Sequence, residues 1–311
     1  MSKHNLLLCF DAFGTLFWPK LTVAQQYGLV ASQCGMTGWT ERELQSRLAA
    51  AFKDEARRNP NYGKTSGLGA TQWWTNVIFN TFQPFARHQP LPADLAPRIL
   101  ERFSSSQGYH AEQDLVNTIK SLKQGSYGTA FDRVVVGVIT NSDDRVPGVL
   151  SSFGLSVSPL RYGSENKSPV RHQSYDVDFT CMSYDAGVEK PHAAIFRAAE
   201  HLCSQVVSAA DGCPTSEADI RRDKGSWHRL YIGDEHAKDV VGALNAGWSP
   251  VLLDQHDKAD GIPGVEQQTD QSITDVFQRS PVVKVRSIRN LVSWLLGVSE
   301  RGCSRRDAND G

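Results

Sequence analysis

The sequence predicts an α/β fold, a doubly wound parallel sheet carrying an inserted all-helical segment. Two observations carry this. Short apolar runs alternate with helical patterns along most of the chain, which suits parallel strands covered on both faces. The alternation stops once, between Trp18 and about Gly108, where strand-like runs vanish and amphipathic helical spacing takes over.

The first run, Leu6-Leu7-Leu8-Cys9-Phe10, reads as a buried strand ending at Asp11 and the turn Ala12-Phe13-Gly14-Thr15. The insertion follows. One of its helices carries Leu44, Leu48 and Phe52 at i, i+4, i+8; a second carries Trp73 and Val77 alongside Trp74, Ile78 and Phe82; a third covers about 94–103. Such stripes are packing faces. Phe17-Trp18-Pro19 and Ser104-Ser105-Ser106-Gln107-Gly108 are the expected hinges, giving a discontinuous core of 1–18 and 109–311 around a helical domain of 19–108. A helix over 112–123 then precedes the strand Val134-Val135-Val136-Gly137-Val138-Ile139. Phe179-Thr180-Cys181-Met182-Ser183 is the third strand, with a helix over 193–202 behind it. Leu230-Tyr231-Ile232, a helix over 237–246, Pro250-Val251-Leu252-Leu253 and the short Val282-Val283-Lys284-Val285 complete the pattern. The polar stretches 156–174 and 204–226 read as surface elaboration, and the charged tail from Arg301 as disordered.

Bulk properties exclude several classes. The 311 residues suffice for about two domains, and a net charge of −1 supplies no field for nucleic acid or an anionic membrane. No apolar stretch approaches the roughly 20 residues of a membrane span, and the N-terminal apolar run reads as the first strand rather than a leader. The six cysteines show no Cys-x-x-Cys spacing. An intracellular, cytoplasmic setting is expected, with the nucleus left open, and the sequon Asn166-Lys167-Ser168 reads as a chance match. Tyr62-Gly63-Lys64-Thr65 fails as a phosphate loop, since Arg58 stands where the first glycine belongs. No Gly-x-Ser-x-Gly elbow and no paired-histidine zinc pattern occurs, His236 reads as a surface helix residue, and Arg221-Arg222-Asp223-Lys224 as a solvated loop.

In an open parallel sheet, ligands bind beyond the carboxyl ends of the strands. Those ends carry Asp11, then Thr140-Asn141, then, just beyond the third strand, Lys190-Pro191, then Gly233-Asp234 with Asp239 five residues on. Carboxylates, a hydroxyl and a lysine on one rim suit phosphoryl transfer. Asp11 is the expected nucleophile. Repulsion between it and a phosphoryl anion calls for a cation, and Mg²⁺ suits Asp11, the Phe13 carbonyl and Asp234. Thr140 would supply a hydroxyl to the phosphoryl oxygens, Lys190 a counter-charge, and Asp239 would orient the metal shell or Lys190.

The order Asp11-x-x-Gly14-Thr15, Thr140-Asn141, Lys190-Pro191, Gly233-Asp234-x-x-x-x-Asp239 resembles the four motifs of the haloacid dehalogenase-like hydrolase superfamily. The resemblance covers the whole core and implies a Rossmann-like core with a type-1 cap inserted between the first two motifs. Asn59-Pro60-Asn61-Tyr62-Gly63 with Gln72-Trp73-Trp74 resembles the cap of its domain-containing protein 3 group. The phosphatases of that superfamily place a general-acid Asp where this chain has Phe13. The resemblance therefore implies a Mg²⁺-dependent phosphohydrolase without that acid, acting on a small phosphorylated molecule. Two alternatives stand beside it: a non-catalytic or regulatory binding protein, and a 2-haloacid dehalogenase, whose Asp-Ala-Tyr-Gly-Thr-Leu-Phe resembles Asp11 to Phe17. Dehalogenases use no metal and carry Ser and Asn near the start of the fourth motif, unlike Gly233-Asp234.

Overall fold

The computed structural model describes residues 4–86, 89–124, 131–163, 174–212, 216–217, 220, 227–268 and 271–297. Cys213, Cys303, the sequon at Asn166, the basic run 221–224 and the tail from Arg301 lie outside them. Six parallel strands form the main sheet: β1 (His4–Phe10), β4 (Phe131–Thr140), β5 (Phe179–Met182), β6 (Trp227–Gly233), β7 (Ser249–Leu253) and β8 (Val283–Val285). Their spatial order is β5-β4-β1-β6-β7-β8. The order reverses at β1, so the C-terminal end of β1 opens a crevice between two diverging crossovers.

The continuous apolar run of β1 is explained by its two faces. Leu6, Leu8 and Phe10 enter one core with Val136, Val138, Leu230 and Ile232, while Leu7 and Cys9 enter the other with Val135, Ile139 and Tyr231. Side chains alternate across a strand, so a strand covered on both sides has no polar position. The helix α5 (Leu115–Gln124) closes the first face through Leu115, Ile119 and Leu122. On the second face, α8 (Ala193–Asp211) contributes Ile195, Phe196, Ala199 and Leu202.

Among the described residues between β2 (Phe17–Pro19) and β3 (Tyr109–Ala111) stand four α-helices: α1 (Val23–Gln33), α2 (Glu41–Arg58), α3 (Ala70–Phe82) and α4 (Leu95–Arg102). Thr22 with Gln25, and Thr40 with Glu43, form capping boxes that start α1 and α2. Phe17-Trp18-Pro19, an expected hinge, forms β2, paired antiparallel with β3. The chain thus leaves and re-enters the core side by side. Buried Gln26 ties the junction, donating to the Leu21 and Gly108 carbonyls and accepting from Arg102 Nε. Three-residue strands are too short to display a period.

Two polar stretches depart from expectation. Residues 204–211 continue α8, because the Ser204 and Ser208 hydroxyls donate back to the His201 and Ser204 carbonyls and Val207 is buried. Residues 157–161 run beside β5, Ser158 N donating to the Val177 carbonyl and Thr180 N to the Leu160 carbonyl, and so cover an edge strand. No described helix is long and apolar enough to cross a membrane.

Candidate active site

Asp11 continues β1 by one backbone bond, its N–H donating to the Ile232 carbonyl (2.8 Å). The Ala12 carbonyl then accepts from Leu16 and Phe17, folding the chain into a tight turn. Gly14 holds φ +84° in that turn, and a Cβ there would collide with the Asp234 carboxylate. The turn and the end of β6 are therefore in contact only because residue 14 has no side chain. Thr15 Oγ1 donates to Asp234 Oδ1 at 3.3 Å.

Carboxylate oxygens of Asp11, Asp234 and Asp239 all lie within 4.8 Å of one another. Lys190 enters from the loop after β5. Its ammonium donates to Asp239 Oδ1 and to the Tyr231 hydroxyl, both at 2.7 Å, and stands 2.8 Å from Asp11 Oδ1. The last contact lies off a hydrogen-bonding direction, so Asp11 Oδ1 is buried beside a charge yet has no directed donor. The Tyr231 hydroxyl in turn donates a hydrogen bond to the Ile139 carbonyl. Asn141 grips the Lys190 backbone from both sides, accepting from its N–H (2.7 Å) and donating to its carbonyl (3.0 Å). The Thr140 hydroxyl supports the Asp11 carboxylate. Asp239 also accepts from the Glu235 N–H.

The charges are unequal, three carboxylates to one ammonium. Burial pushes the Asp11 carboxyl up; Lys190 opposes this and the Asp239 charge adds to it. Burial works against the Lys190 ammonium, but Asp11 and Asp239 outweigh it and hold the amine above its usual range. Burial, with Asp11 and Asp239 nearby, pushes the Asp234 carboxyl up to about 6. An orphaned carboxylate oxygen among hard oxygen donors carrying surplus negative charge fits Mg²⁺. The Phe13 carbonyl, expected as a further ligand, accepts no backbone hydrogen bond among the described residues.

All strand-end residues named from the sequence converge on this rim, though Asn141 works through Lys190. The Phe13 side chain does not face the carboxylates. Its ring packs edge-on against Phe17 (4.8 Å between centroids) and Tyr109 (5.7 Å), inside an aromatic cluster that also holds Phe103 and Phe153. His236 is exposed, as expected.

No protein-family model matches the chain. It is 29% identical over 255 residues to the uncharacterized protein YMR130W of Saccharomyces cerevisiae, covering 81% of this chain and 73% of that one. It is 27% identical over 249 residues to the haloacid dehalogenase-like hydrolase domain-containing protein 3 of Danio rerio, covering 80% and 84%. Among solved structures, a 2-haloacid dehalogenase from Pseudomonas syringae superimposes with a TM-score of 0.53 at 16% identity, over 94% of this chain and 98% of that one. The chain is thus similar in sequence to haloacid dehalogenase-like hydrolase domain-containing protein 3, and its fold is that of the solved dehalogenase.

Three features of this site are not legible in the sequence. Tyr231 looks like one more apolar strand residue, and only its hydroxyl contact with Lys190 distinguishes it. Asp143, fully buried, accepts from Arg145 N, Nε and Nη2 and from the Trp74 indole N–H of α3. The Arg145 guanidinium lies 4.4 Å from the Trp74 ring centroid. Asn61 and Tyr62, in the α2–α3 connection, both hold positive φ (49° and 53°), and Asn61 Nδ2 donates to the Tyr184 carbonyl of the core. A Ser-Asp-Asp-Arg run and an Asn-Tyr-Gly turn would have been the signals for these last two.

Proposed function

We propose that this chain is a Mg²⁺-dependent phosphohydrolase acting through an aspartyl-phosphate on Asp11, confined to leaving groups that depart without a proton from the protein. The observation that carries it is the buried Asp11 carboxylate, flanked by Lys190, Asp234 and Asp239, with an aromatic ring two residues on.

Asp11 forms a bond to phosphorus as the bond to the leaving oxygen breaks, and the electron pair goes to that oxygen. Lys190, fixed by Asp239, Tyr231 and Asn141, stays at the nucleophile and balances charge as it develops. Thr140 offers its hydroxyl to a phosphoryl oxygen. Mg²⁺ held by Asp11 and Asp234 would screen the attacking carboxylate from the phosphoryl charge. Water then cleaves the aspartyl-phosphate. Without a carboxylate at position 13, neither the leaving alkoxide nor this water meets a positioned acid–base group, a contribution of about 10²–10⁴-fold. Aryl phosphates, whose leaving groups are weak bases, escape the first loss but not the second. The phosphoenzyme therefore accumulates.

The division expected from sequence, core at 1–18 and 109–311 with 19–108 as a cap, belongs to the same proposal. The cap would exclude water when seated on the core. Assays with p-nitrophenyl phosphate test the whole. A Mg²⁺-dependent burst approaching one p-nitrophenol per chain, absent in Asp11→Asn, is expected. Metal-independent chloride release from 2-chloropropionate would instead make the protein a dehalogenase. Mg²⁺ binding with silence on both substrates would make it a binding protein.

A further inference from the structure

The segment from Thr140 to Asp143 leaves the end of β4 with two groups that the charged rim uses, the Thr140 hydroxyl and the Asn141 amide. Ser142 N donates to the Thr140 carbonyl (3.0 Å), which folds the segment on itself. Other elements supply its outer ties. The Ser142 carbonyl accepts from Tyr184 N (3.1 Å) and from the Ser183 hydroxyl (3.3 Å), both just after β5. Asp143 Oδ2 accepts from the indole N–H of Trp74 in α3 (2.5 Å).

The inserted helices therefore reach this segment by two routes. Trp74 on Asp143 is the direct one. The other runs from Asn61 Nδ2 to the Tyr184 carbonyl (3.1 Å) and from Tyr184 N to Ser142. Both end within two residues of Asn141. Asn141 holds the Lys190 backbone, and the Lys190 ammonium stands 2.8 Å from Asp11.

Asp143 does not need Trp74 for its charge, since Arg145 already gives it three donors at 2.8 to 3.1 Å. What the indole adds is location. Apolar contact would seat α3 without fixing a register, whereas a directed bond to a carboxylate fixes both partners. We propose that Trp74 and Asp143 are positioning residues: seating α3 on the core sets the segment 140–143 and, through Asn141, holds Lys190 at Asp11. Turnover is thereby tied to the seated state of the helices. Its kinetic side rests on the phosphohydrolase reading above. The indole N–H is spent on Asp143 and not offered to a substrate, so its loss should lower the rate of the chemical step rather than weaken substrate binding.

Trp74→Phe deletes the N–H and keeps an aromatic ring beside Arg145. Trp73→Phe is its matched control, because that indole N–H donates to the Asn59 carbonyl within the insertion (2.9 Å). With p-nitrophenyl phosphate and Mg²⁺, the burst rate constant of Trp74→Phe should fall by about 10- to 10²-fold, the half-saturating concentration staying put. Trp73→Phe should keep the wild-type rate even where it melts lower. In an Asn141→Ala background, Trp74→Phe should cost little more, because both act on Lys190 by one route. Hydrogen exchange in EDTA reads the coupling without turnover. Trp74→Phe should speed exchange in peptides covering 140–145 and Lys190 while the β1 amides stay protected. Asn61→Gly, which keeps the positive φ and cuts the second route, should do so in smaller measure. An unchanged burst rate, unchanged exchange at Lys190, an equal loss in Trp73→Phe, or full additivity with Asn141→Ala overturns the proposal. Faster exchange at Lys190 in Trp74→Phe, with no burst from the wild type, would sink the phosphohydrolase reading and leave the coupling standing.

Discussion

Two halves of one turn behave oppositely. Asp11 faces a rim of ionised groups held by charge: Lys190 is pinned by Asp239, Tyr231 and Asn141. Phe13, two residues later, faces Phe17 and Tyr109 and is held by ring packing. The first half gathers three carboxylates about one ammonium and so carries surplus negative charge. The second has become part of the joint between the core and helices α1 to α4. Position 13 thus serves packing rather than the charged rim, and each half can be disturbed separately.

The sharpest break is on the charged side. Lys190→Met leaves Asp11 and Asp239 buried without their common cation. Removing one partner of a buried pair costs about 3–5 kcal/mol, and the turnover that depends on Asp11 should vanish with it. Thermal unfolding in EDTA checks the first outcome. An unchanged melting temperature would show that the two carboxylates do not depend on Lys190.

On the aromatic side, Phe13→Asp should raise turnover of alkyl phosphates by up to about 10²–10⁴-fold and abolish the p-nitrophenol burst, because the phosphoenzyme regains a base. The variant gives up two ring contacts and should melt at a lower temperature. No gain with an alkyl phosphate, in a variant that remains folded, would show that the missing acid is not what limits the enzyme.

A third probe acts where the halves meet. Gly14→Ala places a Cβ into the Asp234 carboxylate and strains a backbone at φ +84°. Asp234 must move, so stabilisation by Mg²⁺ in a thermal shift should fall well below that of the wild type. Equal stabilisation would mean that Asp234 is not a ligand.

The sequence made the charged half readable and hid the other. Asp11, Thr140 and Asp234 are each reported by a strand end, because a run covered on both faces is continuously apolar until it stops; Lys190, eight residues past its strand, is reported only by the motif order. No such marker exists for a contact between distant elements. Trp74 lies 69 positions from Asp143, and the periodicity of α3 assigns it only to a helix face. The β2–β3 pair is similarly silent, since its register is fixed by a closure across the whole insertion. The continuation of α8 through 204–211 was masked by serines whose hydroxyls bond within the helix.

The smallest expected effect concerns pH. Asp234 has a folded-state pKa of about 6 against an ordinary 3.8, raised by burial and by the Asp11 and Asp239 charges. Between those values the folded protein binds more protons than the unfolded chain, so metal-free stability falls as pH rises through this window. Asp234→Asn removes that penalty. In EDTA the variant should match the wild type near pH 4 and melt higher at pH 7.5, where Asp234 would be ionised beside two other carboxylates. Adding Mg²⁺ at pH 7.5 should reverse the ranking, because the wild type gains a ligand-linked stabilisation that the variant lacks. Melting curves from pH 4 to 8, with EDTA and with Mg²⁺, read both effects. A difference between the two proteins that is constant with pH would show that the Asp234 charge is already compensated without a cation.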